Sequence, residues 1–149
     1  MANLKGTRTA ENLMKSFAGE SQARMRYTYY AKEAKKEGYV QISNIFTETA
    51  DNEKEHAKRF FKFLNEDLCW EAVEITADYP VALGDTKVNL KAAAEGENEE
   101  HSKLYPEFAR IAEVEGYKEI AYVFREIAEV EERHEIRFLK LLENIEQGK

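Results

Sequence analysis

The chain has 149 residues, the size of a single domain with one sizeable core. Twenty-nine Asp and Glu against 22 Lys and Arg leave a net charge of −7, which argues against a nucleic-acid backbone or an anionic membrane as partner. With 43% hydrophobic residues but only 2 Pro and 7 Gly, the chain is too apolar for disorder and too poor in breakers for a many-turned β protein, so long helices are expected.

The first expected helix spans about 8–37. Leu13, Phe17, Tyr27, Ala31 and Ala34 recur at sums of three and four, with Lys15, Lys32 and Lys35 between them, until Gly38 interrupts. A second stripe, Ile42, Ile45, Phe46, Thr49, Phe60 and Phe63, predicts a helix over about 39–65, antiparallel to the first because the turn between them is tight. The stretch 66–85 loses the period and holds Pro80 and Gly84, with Trp70, Val73, Ile75 and Val81 available to pack it down. It reads as an ordered crossover. Cys69, alone in the chain, rules out a disulfide framework and suits a reducing, cytoplasmic compartment. A third helix is expected over 86–115 through Leu90, Ala93, Ala94, Leu104, Phe108 and Ile111, with Pro106 marking a kink or local irregularity. The fourth, over 117–146, carries Ile120, Val123, Phe124, Ile127, Phe138, Leu141 and Ile145. The start of the chain lacks a signal-peptide core, and no apolar run approaches a membrane span. A helix of about 25 residues is roughly 38 Å long, so four of at least that length make one elongated all-α bundle, a single domain over 1–149 whose crossover sets the third helix parallel to the second.

The chain also repeats itself. Shifted by 78 residues, Glu37-Gly38-Tyr39 falls on Glu115-Gly116-Tyr117, Ile42 on Ile120, Phe46 on Phe124, Glu48 on Glu126 and Ala50 on Ala128. Glu53 falls on Glu131, His56 on His134 and Arg59-Phe60 on Arg137-Phe138. With one residue of slippage, Ala18-Gly19-Glu20 aligns with Glu95-Gly96-Glu97. The bundle is therefore expected to be two copies of one helical hairpin.

Polar residues interrupt the apolar stripes at matched places. Glu20 lies between Phe17 and Tyr27, and Glu97 between Leu90 and Leu104; Glu53 and His56 fall between Thr49 and Phe60, and Glu131 and His134 between Ile127 and Phe138. All six should point inward. The Glu-x-x-His spacing puts both side chains on one helical face, and two such pairs plus one Glu from each remaining helix is the donor set of a dinuclear carboxylate site. The charge balances: two divalent ions bring +4 against four carboxylates with neutral histidines. Without metal, carboxylates about 4 Å apart repel by roughly 4 kcal/mol per pair.

The strings Phe17-Ala18-Gly19-Glu20-Ser21-Gln22-Ala23-Arg24, Glu48-Thr49-Ala50-Asp51 leading into Glu53-Lys54-Glu55-His56-Ala57-Lys58-Arg59, and Tyr105-Pro106-Glu107-Phe108-Ala109-Arg110 resemble rubrerythrins over essentially the whole chain. The resemblance implies a ferritin-like four-helix bundle with two irons that reduces hydrogen peroxide to water in oxidative-stress defence. It implies bridging roles for Glu53 and Glu131, terminal roles for Glu20 and Glu97, and one imidazole each from His56 and His134. It further implies that Glu100 replaces His56 on one iron when the centre is oxidised, consistent with the preference of the harder Fe(III) for an anionic oxygen. Tyr27 and Tyr105 match tyrosines near the family's irons and would donate to the Glu ligands; His101 is expected not to ligate. Most rubrerythrins continue into a rubredoxin domain, whereas this chain ends at Gly148-Lys149 with one Cys. It is expected to be either a short form or a piece cut at the domain boundary, taking electrons from an external, rubredoxin-like donor. Manganese or zinc could substitute for iron, and a dimanganese catalase or a ferritin-type iron store remain alternatives. Tyr29, Tyr30 and Tyr122, expected on the surface, suggest a homodimer.

Overall fold

A computed structural model describes residues 3–148 of the chain. Its helices are α1 (Arg8–Lys36), α2 (Val40–Leu68), α3 (Thr86–Glu99), a π-helical segment over Glu100–Leu104, α4 (Tyr105–Val114) and α5 (Lys118–Glu146). Local sequence explains the ends. The Thr7 hydroxyl caps α1 by accepting from the Ala10 N–H at 3.0 Å, and Asp85 caps α3 through the Val88 N–H at 2.9 Å. Gly38 and Gly116, at φ 89° and 94°, stop α1 and α4. Their left-handed backbone lets Tyr39 and Tyr117 donate back to Ala34 and Ala112, each at 2.8 Å.

α1 and α2 form one antiparallel hairpin, and α3, the π segment and α4 form the other with α5. A pseudo-twofold axis relates them, visible in side chains as well as backbone. Arg59 donates to Glu126 at 2.7 Å, and its repeat partner Arg137 donates to Glu48 at 3.1 Å. Thr9 donates its N–H to Glu115 at 2.8 Å, and Thr86 donates its N–H to Glu37 at 2.9 Å. Tyr27, Phe46 and Phe138 pack with ring centroids 5.3–5.9 Å apart; Tyr105, Phe124 and Phe60 repeat the cluster at 5.1–5.7 Å. Each aromatic trio belongs to a separate apolar core, one towards each end of the bundle. Every fully buried Phe contributes on the order of 1.5–3 kcal/mol. Between the two cores lies a polar belt.

The structure corrects or sharpens several sequence expectations. The irregularity expected at Pro106 in the third helix is the π segment over Glu100–Leu104, just before that proline, and it adds one residue to the second repeat. That insertion accounts for the slippage between the Glu20/Glu97 offset and the Tyr27/Tyr105 offset. The second helix extends to Leu68 rather than 65, and the crossover shortens accordingly. Trp70 and Val81 do not pack the crossover down, being 100% and 99% exposed. Tyrosines anchor it instead: Tyr79 donates to the Lys15 carbonyl at 2.9 Å and Tyr30 to the Ala82 carbonyl at 2.6 Å. Tyr30 is consequently buried, leaving only Tyr29 and Tyr122 of the expected surface tyrosines exposed. So strapped, the chain travels along α1 and starts α3 near the far end of that helix, parallel to α2. No helix of the described residues is long and apolar enough to cross a membrane.

Candidate metal centre

Glu20, Glu53, Glu97 and Glu131 have no exposed surface at all, and His56 and His134 are 8% and 9% exposed. Helical spacing brings this about: each Glu-x-x-His pair stands on the inner face of α2 or α5, while α1 and α3 each contribute one carboxylate from the opposite side. Two groups of potential ligand atoms result, Glu20 with Glu53, His56 and Glu131, and Glu97 with Glu53, His134 and Glu131; within each, all atoms lie within 4.8 Å of one another. Glu53 and Glu131 belong to both groups.

The two halves mirror each other. His56 Nδ1 stands 3.1 Å from Glu131 and 3.8 Å from Glu20. His134 Nδ1 stands 3.2 Å from Glu53 and 3.4 Å from Glu97. The imidazole planes are nearly parallel, 23° apart, with centroids separated by 6.3 Å. Tyr27 donates to Glu97 at 2.8 Å, and Tyr105 to Glu20 at 2.7 Å.

The electrostatics are those of a site built for cations. Burial, reinforced by Glu20 and Glu97, holds the carboxyl of Glu53 well above the ordinary range; burial with Glu20 and Glu53 does the same to Glu131. Burial also raises Glu20, but the close approach of Glu53 and His56 and the hydrogen bond from Tyr105 outweigh it and leave that group low. Burial and the neighbouring carboxylates push the phenols of Tyr27 and Tyr105 far up, so both keep their protons and remain donors. Of the nine buried side-chain N and O atoms without a hydrogen-bond partner among the described residues, eight belong to these four glutamates and two histidines. Buried polar groups are normally satisfied, and a cluster of orphaned acceptors converging on two points is what a pair of bound cations would complete. Mixed carboxylate and imidazole donors suit first-row transition metals. The residues therefore fit a dinuclear metal.

Glu100 stands beside this cluster and belongs to neither group of four. Its Oε2 lies 3.1 Å from the Tyr105 hydroxyl oxygen, and its backbone carbonyl accepts from the Tyr105 N–H in the π-helical pattern. Burial and Glu20 raise its carboxyl as well. His101 turns away, its Nε2 2.6 Å from Glu135 on α5. Sequence reading missed Tyr79. A Cβ placed on Gly19 would lie 3.5 Å from the Tyr79 ring and 3.8 Å from Glu100 Oε2, so this crossover residue reaches the edge of the site. The only signal for it was an aromatic next to Pro80.

A protein-family model described as Rubrerythrin matches residues 11–142. Rubrerythrin of Clostridium perfringens is 67% identical over 150 residues, an overlap of 100% of this chain and 77% of that protein. Fully reduced nigerythrin, described as all ferrous, superposes with a TM-score of 0.82 at 32% identity, covering 97% of this chain and 73% of its own. An open-pore ferritin from Archaeoglobus fulgidus superposes with a TM-score of 0.76 at 18% identity, covering 96% and 87% of the two chains, which makes the bundle ferritin-like in fold.

Proposed function

Because the chain belongs to the rubrerythrin family, we propose that it is a non-haem di-iron peroxidase that reduces hydrogen peroxide to water with electrons from an external, rubredoxin-like donor. The observation that carries the reading is the sharing of Glu53 and Glu131 between two four-residue groups. Glu20 and His56 would complete one iron position, and Glu97 and His134 the other. Two ferrous ions, when bound, would supply the two electrons of H₂O₂ + 2 e⁻ + 2 H⁺ → 2 H₂O.

The protein's own contribution is positional. Tyr27 fixes the Glu97 carboxylate and Tyr105 fixes Glu20, which holds the terminal ligands in orientation as the metal's charge changes. Glu100 offers a fifth carboxylate, held by Tyr105 next to the Glu20 side of the pair. The apolar cores close the belt off towards both ends of the bundle. A cytoplasmic site suits the exposed, unpaired Cys69, and a homodimer would cover the exposed Tyr29 and Tyr122.

The test is anaerobic loading with Fe(II) followed by addition of hydrogen peroxide, with oxidation followed by absorbance. Rapid stoichiometric oxidation by peroxide is expected. Oxidation by dioxygen far faster than by peroxide would point instead to a ferritin-type role.

A further inference from the structure

Beneath the crossover, between it and the α1/α3 face, lies a cavity of about 630 Å³. One end is polar and touches Tyr27, Glu100 and Tyr105, the groups standing against the carboxylate cluster. Its walls are mostly apolar, with Tyr79, Leu104 and Phe108, although charged side chains including Lys15, Arg26 and Glu99 also border it. Val81, on the crossover, is 99% exposed and also borders it, so apolar surface continues outwards from the opening.

Hydrogen peroxide does not need such a space. It is a molecule on the order of one or two waters, each occupying about 30 Å³, whereas cavities of roughly 300–1,000 Å³ with apolar walls and a few convergent polar groups are the size that organic ligands fill. The small residues Gly19, Ala23, Ala92 and Gly96 keep the floor open. At Gly96 an added Cβ would meet nothing within 4 Å, so the space is not one that neighbouring side chains already occupy.

Building on the peroxidase reading, we propose that this cavity receives the alkyl part of an organic hydroperoxide and presents its O–O group to the Glu100 side of the metal pair. The reaction is ROOH + 2 e⁻ + 2 H⁺ → ROH + H₂O. The O–O bond breaks, the alkyl-bearing oxygen leaves as an alcohol and the other oxygen as water. Both electrons would be supplied by the metal pair when bound and reduced, and the external one-electron donor would restore them.

Two measurements on the full chain test this. In the zinc-loaded, redox-silent protein, cumyl alcohol, the product of cumene hydroperoxide, should shift the NMR signals of Gly19, Tyr79 and Phe108. Ala92→Phe, which fills the cavity floor away from the cluster, should weaken that binding at least tenfold. Ala92→Leu serves the same purpose if the larger side chain prevents folding. In the iron-loaded protein the same substitution should slow oxidation by cumene hydroperoxide at least tenfold and oxidation by hydrogen peroxide less than twofold. Hydrogen peroxide oxidation without alcohol binding in the cavity, or equal slowing of both peroxides, overturns this assignment alone. Alcohol binding with oxidation by neither peroxide overturns the peroxidase reading and this assignment with it.

Discussion

The Tyr105 hydroxyl donates to Glu20 Oε1 at 2.7 Å, joining a buried phenol of the second repeat to a buried carboxylate of the first. Tyr105→Phe removes this bond and the neighbouring contact to Glu100, while the ring keeps its place against Phe60 and Phe124. The expected result is a folded protein whose affinity for Fe(II) falls about 10- to 100-fold at one of the two sites, as for other groups that orient metal ligands. Tyr27→Phe should do the same at the Glu97 site. Anaerobic metal titration checks both.

Sharing of the central carboxylates predicts an uneven response to ligand loss. Glu53→Ala or Glu131→Ala should abolish binding of both ions, because each glutamate belongs to both groups. Glu20→Ala, His56→Ala, Glu97→Ala or His134→Ala should leave one ion bound. Metal content per chain after gel filtration distinguishes the two classes, and a uniform loss across all six would contradict the sharing.

Glu100→Ala should leave two ions bound yet slow peroxide turnover, since Glu100 stands outside both ligand groups but against their Glu20 side. Deleting Ser102 asks the same question through the backbone. One residue fewer would let the π segment close into regular α-helix and set Tyr105 seven residues after Glu97, as Tyr27 follows Glu20. The deleted form should keep its fold and its metal and lose turnover as Glu100→Ala does. Metal analysis, circular dichroism and stopped-flow oxidation together decide this.

The reciprocal end bonds make a prediction about acid stability. Burial raises the Glu115 carboxyl, but bonds from the Thr9 hydroxyl and N–H and the Arg8 N–H outweigh it and hold the group below the ordinary value. A lowered pKa in the folded state means that this stabilisation is complete above the unfolded value, about 4.3, and is lost as the pH falls through the folded one. Glu115→Gln should therefore cost about 1–2 kcal/mol at pH 7. The gap from the parent protein should narrow below about pH 4 in urea titrations.

Much of this was legible before any coordinates. Glu20, Glu53, His56, Glu97, Glu131 and His134 announce themselves because helical periodicity puts ionisable residues where apolar ones belong, and the 78-residue repeat pairs them. What one helix's periodicity does not carry is contact with a segment that has no period of its own. Tyr30 looked like a surface residue because its burial depends on the crossover carbonyl of Ala82. Trp70 and Val81 looked like anchors because they are apolar, while the tyrosine hydroxyls of Tyr30 and Tyr79 do the anchoring. The π segment left a trace in the sequence, the one-residue slippage between repeats, which has no conformational meaning until the backbone supplies one.

That extra residue breaks an equality. A duplicated hairpin yields two interchangeable half-sites, with no basis for one to differ from the other. In the first copy, the position three residues after Glu20 is Ala23, a buried methyl; in the second, three residues after Glu97, it is Glu100, tied by the widened turn to Tyr105. One half-site thus has a spare anionic arm and the other has none. The metal pair would be chemically polarised from the outset, with its more adaptable member on the side that the crossover cavity reaches. One carboxylate in place of a methyl, tied to Tyr105 by one added residue, is enough to give an otherwise ambidextrous bundle a front and a back.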